Sequence, residues 1–93
     1  MVRITFDPGK RERTLFDRGL DFVEAVEVFQ GDHLTFPDGR RDYGEQRLIT
    51  IGRMRARMVV LVWTPRGEAR HVISLRKAND REQGRYQDRL DRP

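Results

Sequence analysis

Cysteine is absent from this 93-residue chain, which excludes disulfides, thiolate nucleophiles and thiolate metal sites together. Histidine is scarce: His33 and His71 stand far apart and match no metal-ligand spacing, so no metal is expected. No stretch approaches the ~20 apolar residues of a membrane span, and the amino terminus lacks the apolar run of a signal peptide. The expectation is a cytoplasmic protein that engages no membrane. Neither Walker nor dinucleotide glycine spacing surrounds Gly39, Gly44, Gly52 or Gly67, so no nucleotide cofactor is indicated, nor is any other. Ser74 sits in no nucleophile elbow and argues weakly for hydrolysis. The length admits one hydrophobic core and no second catalytic domain.

What the chain has in abundance is arginine. Lysine and arginine total 19 against 15 acids, a net charge of +4, and lysine occurs only at Lys10 and Lys77. A basic, arginine-rich protein is suited to polyanions, because guanidinium grips phosphate with two parallel donors and stacks on bases. A high-GC genome would favour the same codons without any function. The 37% hydrophobic content is clustered into strands, which keeps the chain out of the disordered class.

Met58 to Trp63 is continuously apolar and mostly β-branched or aromatic, the pattern of a central strand covered on both faces. Thr64-Pro65-Arg66-Gly67 turns it back into Ala69 to Lys77, where strict alternation places Arg70, Val72, Ser74 and Arg76 on one face. His71, Ile73, Leu75 and Lys77 then take the other, which favours a buried, satisfied His71. Upstream, Val2 to Phe6 reads as an edge strand, Lys10 to Arg18 as a charged helix stopped by Gly19, and Asp21 as the N-cap of a second helix closed by Gly31. Leu34 to Phe36 is a brief strand, and Pro37 to Tyr43 a polar loop. Glu45 to Gly52 is a strand with Glu45, Arg47, Ile49 and Ile51 on one face, joined through a turn at Arg53 to Arg57. Asn79 caps a final helix with Glu82 at the capping-box position, and residues 79–93 form a charged helix and tail. Composition alone makes that segment a solvated face. The whole reads as one α+β domain over residues 1–93.

Internal cleavage of RNA by its own 2′-hydroxyl stays open to such a chain, since it needs no metal and no protein nucleophile. It needs cations around the scissile phosphate and a carboxylate, lysine or histidine to move protons. Glu45, Arg47, Arg66, Arg70, Arg76 and Lys77 provide these types at strand ends, although a charge there is most often merely solvated.

Gly44-Glu45-Gln46-Arg47, Ile51-Gly52, Val62-Trp63-Thr64-Pro65-Arg66-Gly67 and Ile73-Ser74-Leu75-Arg76-Lys77-Ala78, with Arg81-Glu82 and Tyr86, resemble the BrnT toxins of bacterial type II toxin–antitoxin modules. Phe6-Asp7, Lys10, Gly19, Phe22, Glu24-Ala25 and Val28-Phe29 extend the resemblance over about residues 4–86. It departs at Thr14, Asp17 and Arg18, where the family commonly has asparagine and a Lys-His pair. The resemblance implies a RelE-like fold: an antiparallel sheet flanked by two N-terminal helices and one C-terminal helix. It implies a metal-independent endoribonuclease neutralised by a ribbon-helix-helix antitoxin of the BrnA type. Two toxins and two antitoxins per complex would follow, with DNA reached only through the antitoxin. By motif position, Arg47, Arg66, Arg76 and Lys77 would bind and stabilise phosphate, and Glu45 or Glu82 would transfer protons. Arg70, Ser74 and Tyr86 would contact RNA. Tyr86 is equally accountable as an anchor for the last helix, and Glu82 as the capping carboxylate. An inactive antitoxin-binding homologue and a stand-alone nucleic-acid-binding module remain as alternatives.

Overall fold

The computed structural model describes residues 2–40 and 42–91; Arg41 of the polar loop and the tail end at Arg92 and Pro93 lie outside them. The elements in chain order are β1 (Arg3–Phe6), α1 (Pro8–Arg18), a 3₁₀ turn (Phe22–Ala25), α2 (Val26–Gln30), β2 (His33–Pro37), β3 (Leu48–Met54), β4 (Arg57–Arg66), β5 (Ala69–Lys77) and α3 (Asp80–Asp91). The apolar run makes β4 the middle strand of a five-stranded sheet ordered β1-β5-β4-β3-β2, buried without a break from Met58 to Thr64.

The sheet is mixed, which corrects the antiparallel expectation. β2–β3, β3–β4 and β4–β5 are antiparallel, but β1 pairs parallel to β5, from Arg3 opposite Ala69 to Phe6 opposite Val72. Tight turns dictate direction only between strands they join. β1 and β5 are joined through the rest of the chain, so no turn signal bears on their orientation.

Local chemistry explains the helices. The Asp7 carboxylate accepts from the Gly9 N–H at 3.1 Å, and Pro8 opens the helix; α1 thus starts two residues before Lys10. Gly19 closes it with φ of 69°, its N–H donating to the Leu15 carbonyl at 3.0 Å. Asp21 caps the 3₁₀ turn through Val23 N–H and receives two hydrogen bonds from Arg11, at 2.8 and 3.0 Å. The expected second helix is therefore split, its first turn tightened to 3₁₀ geometry.

Two layers cover the sheet. On one side Leu20, Phe22, Ala25, Val28 and Phe29 pack on Met54, Val59, Leu61, Trp63, Val72 and Leu75. Gly52 permits the close approach of α2, since a Cβ there would stand 2.7 Å from Val28 Cγ1. On the other side α3 contributes Leu90 and Tyr86 to a smaller cluster with Ile51, Met58, Val60 and Ala78. A polar chain runs from the larger core to the exposed margin of β2: Trp63 Nε1 donates to Thr50 Oγ1 at 2.7 Å, which shares a 2.8 Å bond with Thr35.

A β-bulge decides which side chains share a face. Val62 pairs with Ser74 but Trp63 pairs with Val72, leaving Ile73 as the extra residue. Val72 and Leu75 consequently enter the same core although three residues apart. The alternation reverses at Ile73, and the expected grouping of Arg70, Val72, Ser74 and Arg76 does not hold. Arg76 and Ser74, opposite Val60 and Val62, lie on the α3 side, where His71 also falls opposite Thr64. Arg70 is on the helix-packed side, its guanidinium 4.4 Å from the Phe29 ring centroid and 4.8 Å from that of Trp63.

Other boundaries shift modestly. β3 begins at Leu48, so Glu45 to Arg47 precede the strand, and β4 runs to Arg66, narrowing its turn to Gly67 and Glu68. The β3–β4 hairpin closes with two residues, Arg55 at φ 51° and Ala56 at φ 64°, the backbone of a type I′ turn. Glu27 accepts from the Arg55 N–H at 3.0 Å, and Glu24 pairs with its guanidinium. Past the end of β1, Lys10 donates to the Ile73 carbonyl at 3.4 Å and Arg18 to that of Leu75 at 2.8 Å.

Candidate active site

The α3 side of the sheet is apolar over β2, β3 and β4 and polar over β5 and β1. At the junction, Arg76 projects from the end of β5 and meets Glu82 in the first turn of α3, with two N···O contacts of 2.8 Å. Glu82 also accepts the Asn79 N–H at 2.9 Å, while Asn79 Oδ1 accepts the Glu82 N–H at 2.8 Å. The capping box expected at Asn79 is thus complete. Arg76 first, and then the Asn79 N–H, hold the Glu82 carboxyl down at about 2. Glu82 is a fixed carboxylate at neutral pH, far from the pKa that suits a proton-transfer group.

A second guanidinium approaches Arg76 from the loop after β2. The Asp38 side chain is wholly buried and grips Arg40 at 2.8 and 2.7 Å. Arg40 holds the Asp38 carboxyl below its ordinary value, against the effect of burial. The Asp38 N–H donates to the Arg47 carbonyl at 2.8 Å. That loop, expected only to be polar, is therefore anchored at Asp38. Arg40 is close enough to Arg76 to oppose its charge.

Arg47 pairs with Glu45 at 3.2 Å and lies over the Tyr43 ring, 3.9 Å from its centroid. Glu45 acts electrostatically on His71, as does Arg66. The His71 imidazole is half-buried and bonded through Nδ1 to Thr5 Oγ1 at 2.8 Å. Burial, and after it Arg66, push its pKa down. His71 was expected on the core side; the bulge places it on the polar side instead.

Of the residues singled out from sequence, Arg76, Glu82, Ser74, Arg66, Glu45 and Arg47 are brought to this polar side or its rim. Arg70 is not, and Lys77, opposite Val59, falls by register on the helix-packed side. Tyr86 stacks on Phe36 with centroids 6.3 Å apart, the anchoring role weighed for it. It also lines a cleft of about 340 Å³ with Phe36, Ile49, Arg76, Glu82 and Arg85. Sequence reasoning missed Arg40 and Thr5 and misplaced His71. The Asp38-Gly39-Arg40 spacing offers a local signal for the first, whereas Thr5 and His71 meet only through the parallel pairing. Among the described residues, no three His, Cys, Asp or Glu side chains are grouped to hold a metal ion, and no helix is long and apolar enough to cross a membrane.

Fold and site define a small basic α+β domain whose polar sheet side presents guanidinium groups, those of Arg40, Arg47 and Arg76 each held by a neighbouring carboxylate. The family model for the ribonuclease toxin BrnT of type II toxin–antitoxin systems matches residues 6–82, and the chain belongs to that family. Membership implies an RNA substrate and an antitoxin partner. No curated protein matches the chain.

Proposed function

We propose that the chain is a metal-independent endoribonuclease of the RelE-like kind, acting in the cytoplasm, in which Arg76 and Arg66 hold the scissile phosphate. The carrying observation is the Arg76–Glu82 pair, which fixes a guanidinium at the edge of a polar sheet side. Attack of a 2′-oxygen on the adjacent phosphorus builds charge on the phosphoryl oxygens, and preorganised guanidinium groups stabilise that charge. Arg40 and Arg47, held by Asp38 and Glu45, extend the cationic surface along the strand ends, and Ser74 lies on the same side between Arg76 and His71. The Phe36–Tyr86 cleft beside Arg76 offers a stacking surface for a neighbouring base.

Incubation of the purified protein with RNA in excess chelator tests this. Cleavage is expected; no cleavage, or cleavage only with added metal, overturns it. Neutralisation follows from covering the same surface. The partner is a ribbon-helix-helix antitoxin of the BrnA type, in a complex of two toxins and two antitoxins. Its contacting segment is helical and carries acids, because desolvated arginines need complementary charge. A complex that leaves Arg66 and Arg76 in solvent contradicts this.

A further inference from the structure

Cleavage through the 2′-hydroxyl needs a group to take its proton, and both carboxylates that the sequence offers for this are engaged by guanidinium groups: Glu45 by Arg47 and Glu82 by Arg76. His71 is differently placed. It stands in the first half of β5 on the polar side, half-buried, with Thr64 across the β4 ladder and Thr5 across the β1 ladder. Its Nδ1 is occupied by Thr5 Oγ1 at 2.8 Å; Nε2 makes no hydrogen bond among the described residues.

Resting on the ribonuclease reading above, we infer that His71 is the general base, with Thr5 as the positioning residue that fixes its ring. The 2′-hydroxyl proton moves to Nε2 as the 2′-oxygen forms its bond to phosphorus. The bond from phosphorus to the 5′-oxygen breaks, and that oxygen takes a proton from solvent. The products are a 2′,3′-cyclic phosphate and a 5′-hydroxyl, and His71 returns its proton to solvent.

The surroundings suit a base rather than an acid. The charged groups that bear on the ring are Arg66 from β4 and Lys10 from α1, which disfavour its protonation, and Glu45 before β3 and Asp7 before α1, which favour it. Burial first, and then Arg66, prevail, and the ring is held below its ordinary value. A neutral imidazole near pH 7 is the form a general base requires. The parallel β1–β5 pairing is what brings Thr5 to this ring, which gives the short edge strand a task beyond closing the sheet.

The test is cleavage of a short RNA across pH 5–8.5 by wild type, His71→Asn and Thr5→Val, with binding of the 2′-deoxy analogue measured alongside. Asparagine keeps a polar group for Thr5 but does not titrate. Wild type should show kcat/KM rising with pH to a plateau, with an apparent pKa below the ordinary histidine value of about 6.5. His71→Asn should lose ~100-fold or more in kcat, lose the rising limb and keep its affinity for the analogue. Thr5→Val should retain the limb but shift it, with a smaller loss. His71→Asn cleaving within about threefold of wild type with the same limb, or losing analogue binding in parallel with cleavage, overturns the inference alone. If that variant fails to fold, as judged by circular dichroism, His71→Gln takes its place under the same criteria. A wild-type protein that cleaves nothing at any pH overturns the ribonuclease reading itself.

Discussion

Arg76 and Glu82 meet through two parallel N–H···O bonds of 2.8 Å each, and the same carboxylate closes the first turn of α3 on Asn79. One side chain thus starts a helix and aims a guanidinium. Replacing Glu82 by Gln should cost about 1 kcal/mol in urea unfolding, the order of a partly exposed ion pair. It should also lower RNA cleavage about tenfold by freeing Arg76.

The pH dependence of that contribution has a definite sign. With its folded pKa near 2 and an unfolded value of about 4.3, Glu82 stabilises the fold above about pH 4.3 and loses that contribution as pH falls toward 2. Wild type and Glu82→Gln should therefore differ in urea midpoint at pH 7, with a gap that narrows below about pH 4.3 and closes only below about pH 2. An undiminished gap at the lower pH would refute the assignment.

Arg70 and Arg76 face opposite sides of the sheet, so their alanine variants should separate stability from activity. Arg70→Ala removes the stacking over Phe29 and Trp63 and should cost ~1 kcal/mol with cleavage within about twofold of wild type. Arg76→Ala should reduce cleavage by ~100-fold or more. Comparable activity losses in the two would contradict the bulged register.

Ala56 holds φ at 64°, where an L residue with a Cβ is strained by roughly 1 kcal/mol. Ala56→Gly should stabilise the protein by up to about 1 kcal/mol, because relief of that strain outweighs the added freedom of the unfolded chain. A lower urea midpoint in this variant would contradict it.

Thr50 is fully buried and accepts the Trp63 indole proton. Thr50→Val keeps the shape and strands that N–H in the core, at a cost of ~1–3 kcal/mol. Thr50→Ser should cost less in the hydrogen bond and be felt mainly as lost packing, and tryptophan fluorescence would report both.

Much of this arrangement was legible from residue order. The apolar run at Met58, the stop at Gly19, the caps at Asp21 and Asn79, and the family motif all express chemistry acting within a few residues. What escaped depends on pairs distant in sequence. Nothing near Val2 to Phe6 states which way that strand runs against β5. Nothing in Ala69 to Lys77 marks Ile73 as a bulge, since an alternating strand and a bulged one have the same composition. That one unpaired residue moved Arg70 away from the site and His71 into it. Arg40 was hidden for another reason: its partner Asp38 is buried only once the loop folds down beside Arg47.

The cationic contacts of α1 have a consequence for how the chain survives alone. β5 extends beyond the end of β1, and an uncovered strand margin is a template on which other chains assemble. Lys10 and Arg18 occupy the outward carbonyls of Ile73 and Leu75, so a passing strand meets bulky, hydrated charge. The helix that supplies both contacts has no buried residue of its own, and charge-removing changes at these two positions should open the strand margin to pairing without touching the core.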